Sequence, residues 1–328
     1  MTGFGLGPTT TPSLWQLAAL ERSIPSQTGD IRDLDAVQAA VAAARPELIL
    51  HLAAQSLVRP SYQEPMATFA TNIMGTAHVL EAARSAPDLG GVVVVTSDKC
   101  YENREWPHAY REGDAMGGFD PYSASKGCAE LLTAAMRRSF FADATAPALA
   151  SARAGNVIGG GDFSLDRLVP DLVRAFLAGE PALLRNPTAT RPWQHVLEPL
   201  HGYLKLAQRL HEAGGSYAEG WNFGPLACDE VQVRQVATEL CAHFPGASLR
   251  IAEDAAAPHE AGLLRLDPGK SMLRLGWRPT LTLAETLRWI ADWHHGVAAD
   301  SNAARALTEA QIAAFEARID AAQPAGAA

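Results

Sequence analysis

Three short, largely apolar runs restrict what this chain can fold into more than any other feature of it. Pro46–Ala53, Gly91–Ser97 and Ala148–Ala152 each read as a strand buried on both faces. Helical periodicity follows the first over Ala67–Ala83, and a helix opens near Pro121 and runs to about Phe141. A strand apolar on both sides needs cover on both faces, and helical crossovers between parallel strands supply it. Right-handed crossovers then predict a doubly wound parallel sheet of the α/β class.

The pattern changes after Gly155. Gly159–Gly161 and the Pro-rich stretch Pro181–Pro192 interrupt it, and short strands near Gly220–Phe223 and Ser248–Ile251 are mixed with helices at about 168–178, 197–212, 231–243 and 284–295. A smaller α+β region packed on the first is expected, with a last amphipathic helix over roughly 309–321. The 328 residues, 48% hydrophobic and 19% charged, suffice for such a core. A net charge of −9 argues against nucleic acid as a partner, though a local cationic site for one nucleotide remains compatible with it. No apolar run reaches the roughly 18–20 residues of a membrane span, so no membrane role is expected. Cys100, Cys128, Cys228 and Cys241 stand far apart with no C-x-x-C pair. Neither a disulfide framework nor a metal site is expected, and a cytoplasmic location follows as the default.

Chemistry concentrates in two places. Tyr122-Ser-Ala-Ser-Lys126 puts a phenol and an ammonium on one helix face, where the cation can favour the phenolate and make a general acid/base. Such pairs also arise by chance. The strand at Val92–Val95 runs out into Thr96-Ser97-Asp98-Lys99. Open α/β sheets bind ligands beyond the carboxyl ends of their strands, so a hydroxyl, a carboxylate and an amine there favour a catalytic constellation over a solvated strand end.

With these residues in view, the chain resembles the short-chain dehydrogenase/reductases, in their extended, sugar-nucleotide-modifying branch, whose Ser/Thr-Tyr-Lys triad Ser97, Tyr122 and Lys126 match. It is similar more narrowly to CDP-glucose 4,6-dehydratases. The likeness rests on His51-Leu-Ala-Ala-Gln55, Thr96-Ser-Asp-Lys-Cys-Tyr-Glu-Asn103, Asp120-Pro-Tyr-Ser-Ala-Ser-Lys126, Arg153-Ala-Gly-Asn156 and Arg191-Pro-Trp-Gln-His-Val196, and it covers nearly the whole chain. The resemblance implies a Rossmann-like dinucleotide-binding domain over 1–156 with returning segments near 192–225. Residues 157–191 and 226–328 are then mainly a nucleotide-sugar domain.

It also implies NAD as cofactor and a three-step reaction: C4 oxidation, loss of water across C5 and C6, and return of the hydride to C6. In that reaction Tyr122 takes the C4 hydroxyl proton, Ser97 bonds the same oxygen, and Lys126 tunes Tyr122 and holds the nicotinamide ribose. Asp98 matches the acid that protonates the departing C6 hydroxyl, and Lys99 stands where a base for the C5 proton is needed. A lysine serves there only if burial or nearby cations lower its pKa, which the adjacent Asp98 opposes. Asp30, Ile31, Ala53, Ala54 and Gln55 match cofactor contacts. Arg191 matches the arginine that grips the diphosphate, and Asn156, Arg153 and His259 are further substrate candidates. A homodimer or homotetramer built on the 67–83 and 122–141 helices is the family expectation. NAD versus NADP, and the base, stay open. A nucleotide-sugar epimerase and a non-catalytic nucleotide-sugar-binding subunit are the competing readings.

One segment departs from the resemblance. Met1-Thr-Gly-Phe-Gly-Leu-Gly-Pro8 is glycine-rich, but its glycines are spaced two apart and Pro8 and Pro12 follow where a helix should open. It reads as a strand, the family's second, rather than as a phosphate-binding turn. The expectation is therefore a chain without the family's first strand and turn, with a weakened hold on NAD.

Overall fold

The computed structural model describes residues 1–251 and 261–322. The chain opens with β1 (Gly3–Gly5), a strand as read, and no helix opens on its glycines. Ser13 caps a short α1 (Leu14–Leu17), β2 (Ser26–Thr28) pairs in parallel with β1, and Asp33 caps α2 (Leu34–Ala44). Then come β3 (Leu48–His51), α3 (Val58–Gln63), α4 (Pro65–Phe69) and α5 (Gly75–Arg84). The helix expected over Ala67–Ala83 is thus interrupted by a π-turn at Ala70–Met74, which carries Asn72. β4 (Gly91–Val95), α6 (Pro121–Phe140) and β5 (Ala148–Ala154) follow.

The second half contains β6 (Asn156–Ile158), α7 (Leu168–Leu177), β7 (Ala182–Leu184), β8 (Thr190–His195) and α8 (Leu197–Ala213). It continues with β9 (Gly220–Phe223), β10 (Glu230–Gln232), α9 (Val233–Cys241), β11 (Leu249–Ile251), α10 (Leu283–Ala299) and α11 (Ala304–Ala322). β9 returns to the first half, giving a parallel sheet of order β3-β4-β5-β9. The second half has its own small sheets, β10-β8-β6 and β11-β7.

Alternation along β4 explains why this sheet is covered twice. Val92 and Val94 pack with Leu80, Ala83, Phe141 and Leu149 under α5 and α6, whereas Val93 packs with Leu206, Leu210, Trp221 and Phe223 under α8. A separate core of Leu172, Phe176, Leu184, Trp193, Leu240, Leu287 and Ile290 supports the second half. Gly155, in the turn between β5 and β6, is what lets β8 close up: a Cβ there would sit 2.4 Å from Pro192 Cγ. That contact brings the two halves together at the carboxyl ends of β4 and β5.

The parallel strands of the first half fall into two sheets. β1 and β2 form their own two-stranded sheet and do not hydrogen-bond to β3. A slot of about 460 Å³, lined by Phe4, Ile31, Val41, Leu48, Leu50 and Ala53 among others, separates the two. The link across it is side-chain packing by Ile31, Val37, Val79 and Ala82, with Phe4 and Ile49 alongside, rather than a backbone ladder.

Candidate active site

The carboxyl ends of β4, β5 and β6 open into one cleft of about 370 Å³. It brings together Ser97, Asp98, Lys99, Tyr122, Asn156 and Arg191, residues separated by up to 94 positions in the chain (191 minus 97). The turn after β4 sets the first three. Ser97 is extended and caps the turn, accepting from the Lys99 amide at 3.2 Å, and its hydroxyl donates to Asp98 Oδ1 at 3.0 Å. Asp98 is buried and its Oδ2 makes no hydrogen bond. Burial raises the Asp98 carboxyl above the usual range, opposed by the charges of Lys99 and Arg191. The aspartic acid is therefore biased toward the protonated form, as a proton donor must be.

Helix α6 delivers the phenol. Asp120 caps it, accepting from the Ser123 amide at 2.9 Å, and Pro121 occupies the first turn. The Tyr122 amide donates to Ser61 Oγ at 3.1 Å, which ties α6 to α3. Burial pushes the phenol up to about 12, while a hydrogen bond with Ser97 and the Arg167 charge pull it down. Lys126 is also buried, and its ammonium donates to the Val95 carbonyl at 3.3 Å. Burial lowers it to about 8, against the opposing pull of Glu130 and Cys100.

The remaining residues named from the sequence fall in different places. Arg191 lines the cleft from β8, with its guanidinium donating to the Thr190 carbonyl at 2.9 Å and to the Ala261 carbonyl. Arg153 does not line it. β5 is buried along its whole length, and the Arg153 side chain turns behind the cleft onto the Glu130 carboxylate. In place of the expected contact with substrate it makes a buried ion pair, donating from Nε and Nη2 to the two Glu130 oxygens at 2.9 and 2.8 Å. Asp30 binds the Arg32 side chain and amide at the end of β2. Ile31 and Ala53 face the slot between the sheets, and Ala54 is half-buried. The Gln55 amide donates to Asn72 Oδ1 at 2.8 Å, and Asn72 Nδ2 donates to the Gln55 carbonyl and to Ser125 Oγ. The π-turn thus braces the loop after β3 against α6, a placement common for π-turns near functional sites. His259 lies outside the described residues. Among those residues no cluster of His, Cys, Asp and Glu could hold a metal.

Sequence reasoning missed the arginines at the rim. Arg59, Arg167 and Arg185 join Arg191 around the cleft. Arg59 and Arg185 share the Asp166 carboxylate at 3.8 and 2.7 Å, and Arg167 donates to Ser56 Oγ at 2.9 Å. Arg167 also pairs with Asp162 at 3.5 Å and Arg185 with Asp171 at 3.1 Å, so the rim of the cleft is a network of ion pairs. The one signal of these arginines in the sequence was charge, and charge alone does not reveal which face a side chain joins.

Comparison with known proteins bears on the family and the fold. A family profile described as GDP-mannose 4,6 dehydratase matches residues 11–290. The chain is 47% identical over 296 residues to the CDP-glucose 4,6-dehydratase of Salmonella typhimurium, covering 89% of this chain and 82% of that one. It is 27% identical to a dTDP-glucose 4,6-dehydratase of Xanthomonas campestris, covering 81% and 77%. Among solved structures, the Streptomyces venezuelae dTDP-glucose 4,6-dehydratase with NAD and TYD bound superposes with a TM-score of 0.73 at 26% identity, covering 85% of this chain and 82% of that one. The Thermus thermophilus UDP-glucose 4-epimerase with NAD shares the fold at a TM-score of 0.73 and 22% identity, covering 90% and 99%.

Proposed function

The chain belongs to the GDP-mannose 4,6 dehydratase family, and on that premise we propose that it is a sugar-nucleotide 4,6-dehydratase that converts CDP-glucose to CDP-4-keto-6-deoxyglucose. The 47% identity to a CDP-glucose enzyme supports the choice of nucleotide sugar. The observation that carries the elimination step is Asp98: a buried carboxyl, raised by burial, with one oxygen unpartnered, beside Ser97 and Tyr122 in the cleft.

NAD is the cofactor of this reading; the residues after β2 and β3 and those on α6 fit its two ends, whereas no glycine turn leading into a helix for its pyrophosphate is found among the described residues. Ala53 and Ala54 are small enough for close backbone approach after β3, Asp30 stands just past β2 where it would meet the adenosine end, and Tyr122 and Lys126 would hold the nicotinamide ribose. When bound, NAD would supply the hydride acceptor for C4 oxidation and the hydride donor for reduction at C6. The rest is done by the chain. Ser97 holds the C4 oxygen while Tyr122, as the phenolate that the Lys126 ammonium favours, removes its proton and becomes the neutral phenol. The 4-keto group makes the C5 proton acidic. Lys99 removes it, and Asp98 delivers a proton to the departing C6 hydroxyl, which leaves as water. Arg191, with Asn156 beside it, holds the diphosphate. Residues 1–156 with the segments near 192–225 form the cofactor half, and the remainder forms the sugar-nucleotide half.

The test is to incubate the purified chain with CDP-glucose and NAD and to assay the 4-keto-6-deoxy product. The Asp98→Asn variant should lose about 10²–10⁴-fold in kcat while calorimetry shows CDP-glucose still bound. A wild-type chain that yields the C4 epimer, or a variant that keeps its full rate, would sink the dehydratase reading.

A homo-oligomer fits α4–α5 and α6, which leave Met66, Met74 and Leu131 exposed. Light scattering should give a dimer or tetramer mass, and Leu131→Glu should lower it to the monomer; a monomeric wild type contradicts this. Among the described residues no helix is long and apolar enough to cross a membrane, and the four cysteines are free. Both facts support a cytoplasmic setting.

A further inference from the structure

A single carboxylate lies behind the reacting groups. Glu130 is one helical turn beyond Lys126 and two beyond Tyr122, on the same buried face of α6. It accepts four hydrogen bonds: Oε1 from the Thr96 hydroxyl at 2.5 Å and Arg153 Nε at 2.9 Å, and Oε2 from the Ser151 hydroxyl at 2.7 Å and Arg153 Nη2 at 2.8 Å. Arg153 Nη1 goes on to Tyr101 Oη at 2.7 Å, and the Tyr101 hydroxyl donates to Asn222 Oδ1 at 2.7 Å. Thr96 and Tyr101 flank the turn Ser97–Cys100, so Glu130 reaches one end of that turn directly and the other through Arg153.

Buried ion pairs often add little net stability over apolar side chains of the same volume. What this pair supplies is geometry and charge. Lys126 is faced by Glu130 on its own helix, by the Cys100 thiol from the turn after β4, and by the His51 imidazole at the end of β3. Burial keeps the thiol protonated and holds the imidazole neutral, lowered to about 3. Of these three neighbours only Glu130 carries a formal charge at neutral pH.

We propose that Glu130 is a positioning residue of the reaction, clamping both ends of the turn that carries Ser97 and Asp98 and supplying the counter-charge that keeps Lys126 an ammonium. As a role in catalysis this rests on the dehydratase reading, but the clamp and the counter-charge can be measured without turnover. The chain has only four lysines, Lys99, Lys126, Lys205 and Lys270, so isotope-labelled lysine NMR can follow Lys126 alone, assigned by its loss in Lys126→Arg. Glu130→Gln leaves Arg153 buried without its partner, so the charge-balanced Glu130→Gln/Arg153→Gln protein is made beside it.

In Glu130→Gln the Lys126 titration midpoint should fall by about one pH unit, and in the double variant, where a cation leaves with the anion, it should fall by less. The alkaline limb of the kcat profile should move with it, and KM for CDP-glucose should stay within about threefold. Ser151→Ala removes one bond to Glu130 without altering charge and should leave the midpoint in place. A midpoint no lower in Glu130→Gln than in the double variant overturns the proposal, as does a Ser151→Ala shift of the same size. If the wild type proves inactive toward CDP-glucose, the dehydratase reading fails while the NMR result still decides the role of Glu130 toward Lys126.

Discussion

Burial acts on Asp98 and Lys126 in opposite directions of charge. It pushes the carboxyl up and the ammonium down, biasing each toward its neutral form. The same cause sets an acid limit on the fold. His51, His195 and His294 are buried, and burial lowers them to about 3, 4 and 4. Their folded pKa values lie below the unfolded value of 6.5, so between pH 6.5 and about 4 the unfolded chain binds protons that the folded one refuses. Stability therefore falls as pH drops through that window, by up to about 1.4 kcal/mol per pH unit for each histidine. Glu198, raised by burial to about 7, contributes with the opposite sign between 4.5 and 7. The check is thermal melting from pH 7 to 4.5 for wild type and His51→Gln. The variant should show a shallower fall on acidification, and an equal slope in both proteins would contradict the assignment. At this scale the Tyr122–Lys126 pair was legible in the sequence because a helix period is local. The partner of Arg153 was not legible: every position of β5 is buried, so no alternation marks which way a side chain points.

At the scale of elements, α6 is where local sequence and catalysis meet. Its start is written in Asp120-Pro121, a capping carboxylate followed by a residue that needs no amide partner. The Asp120 carboxylate also accepts the Ser123 hydroxyl, and it is buried. Asp120→Ala should cost about 1–2 kcal/mol in urea unfolding. It should also lower kcat more than it raises KM, because Tyr122 sits in the first turn; an unchanged stability would show that the cap is supplied by other groups. The π-turn at Ala70–Met74 was not legible. One extra residue in a turn shifts the phase of the helical period by about 100°, which the many small residues of Ala67–Ala83 do not display. The Asn72–Gln55 bonds that accompany the distortion form only once the loop after β3 and the helix are packed together.

Across the whole molecule, the two sheets differ in how they are held. β4 and the middle of β5 are flanked by ladders on both sides and are buried, whereas β1 and β2 are half-buried to exposed and meet β3 through side chains. Amides in Gly3–Thr28 should exchange with solvent at least about 10²-fold faster than those of Val92–Val94. Equal protection, read by hydrogen-exchange mass spectrometry, would mean that the slot does not weaken the join. By itself the sequence determined the α/β alternation, the opening of α6 near Pro121 and the shared face of Tyr122 and Lys126, since each follows from local residues and the period of a strand or helix. The strand at Gly3–Gly5 was read from glycine spacing and the family's register. The tertiary structure decided that the sheet comes in two parts. It also decided that Arg153 neutralises Glu130 rather than a ligand, and that Arg59, Arg167 and Arg185 gather around the cleft. Those outcomes depend on which faces meet across tens of residues of chain, and packing, not local periodicity, sets them.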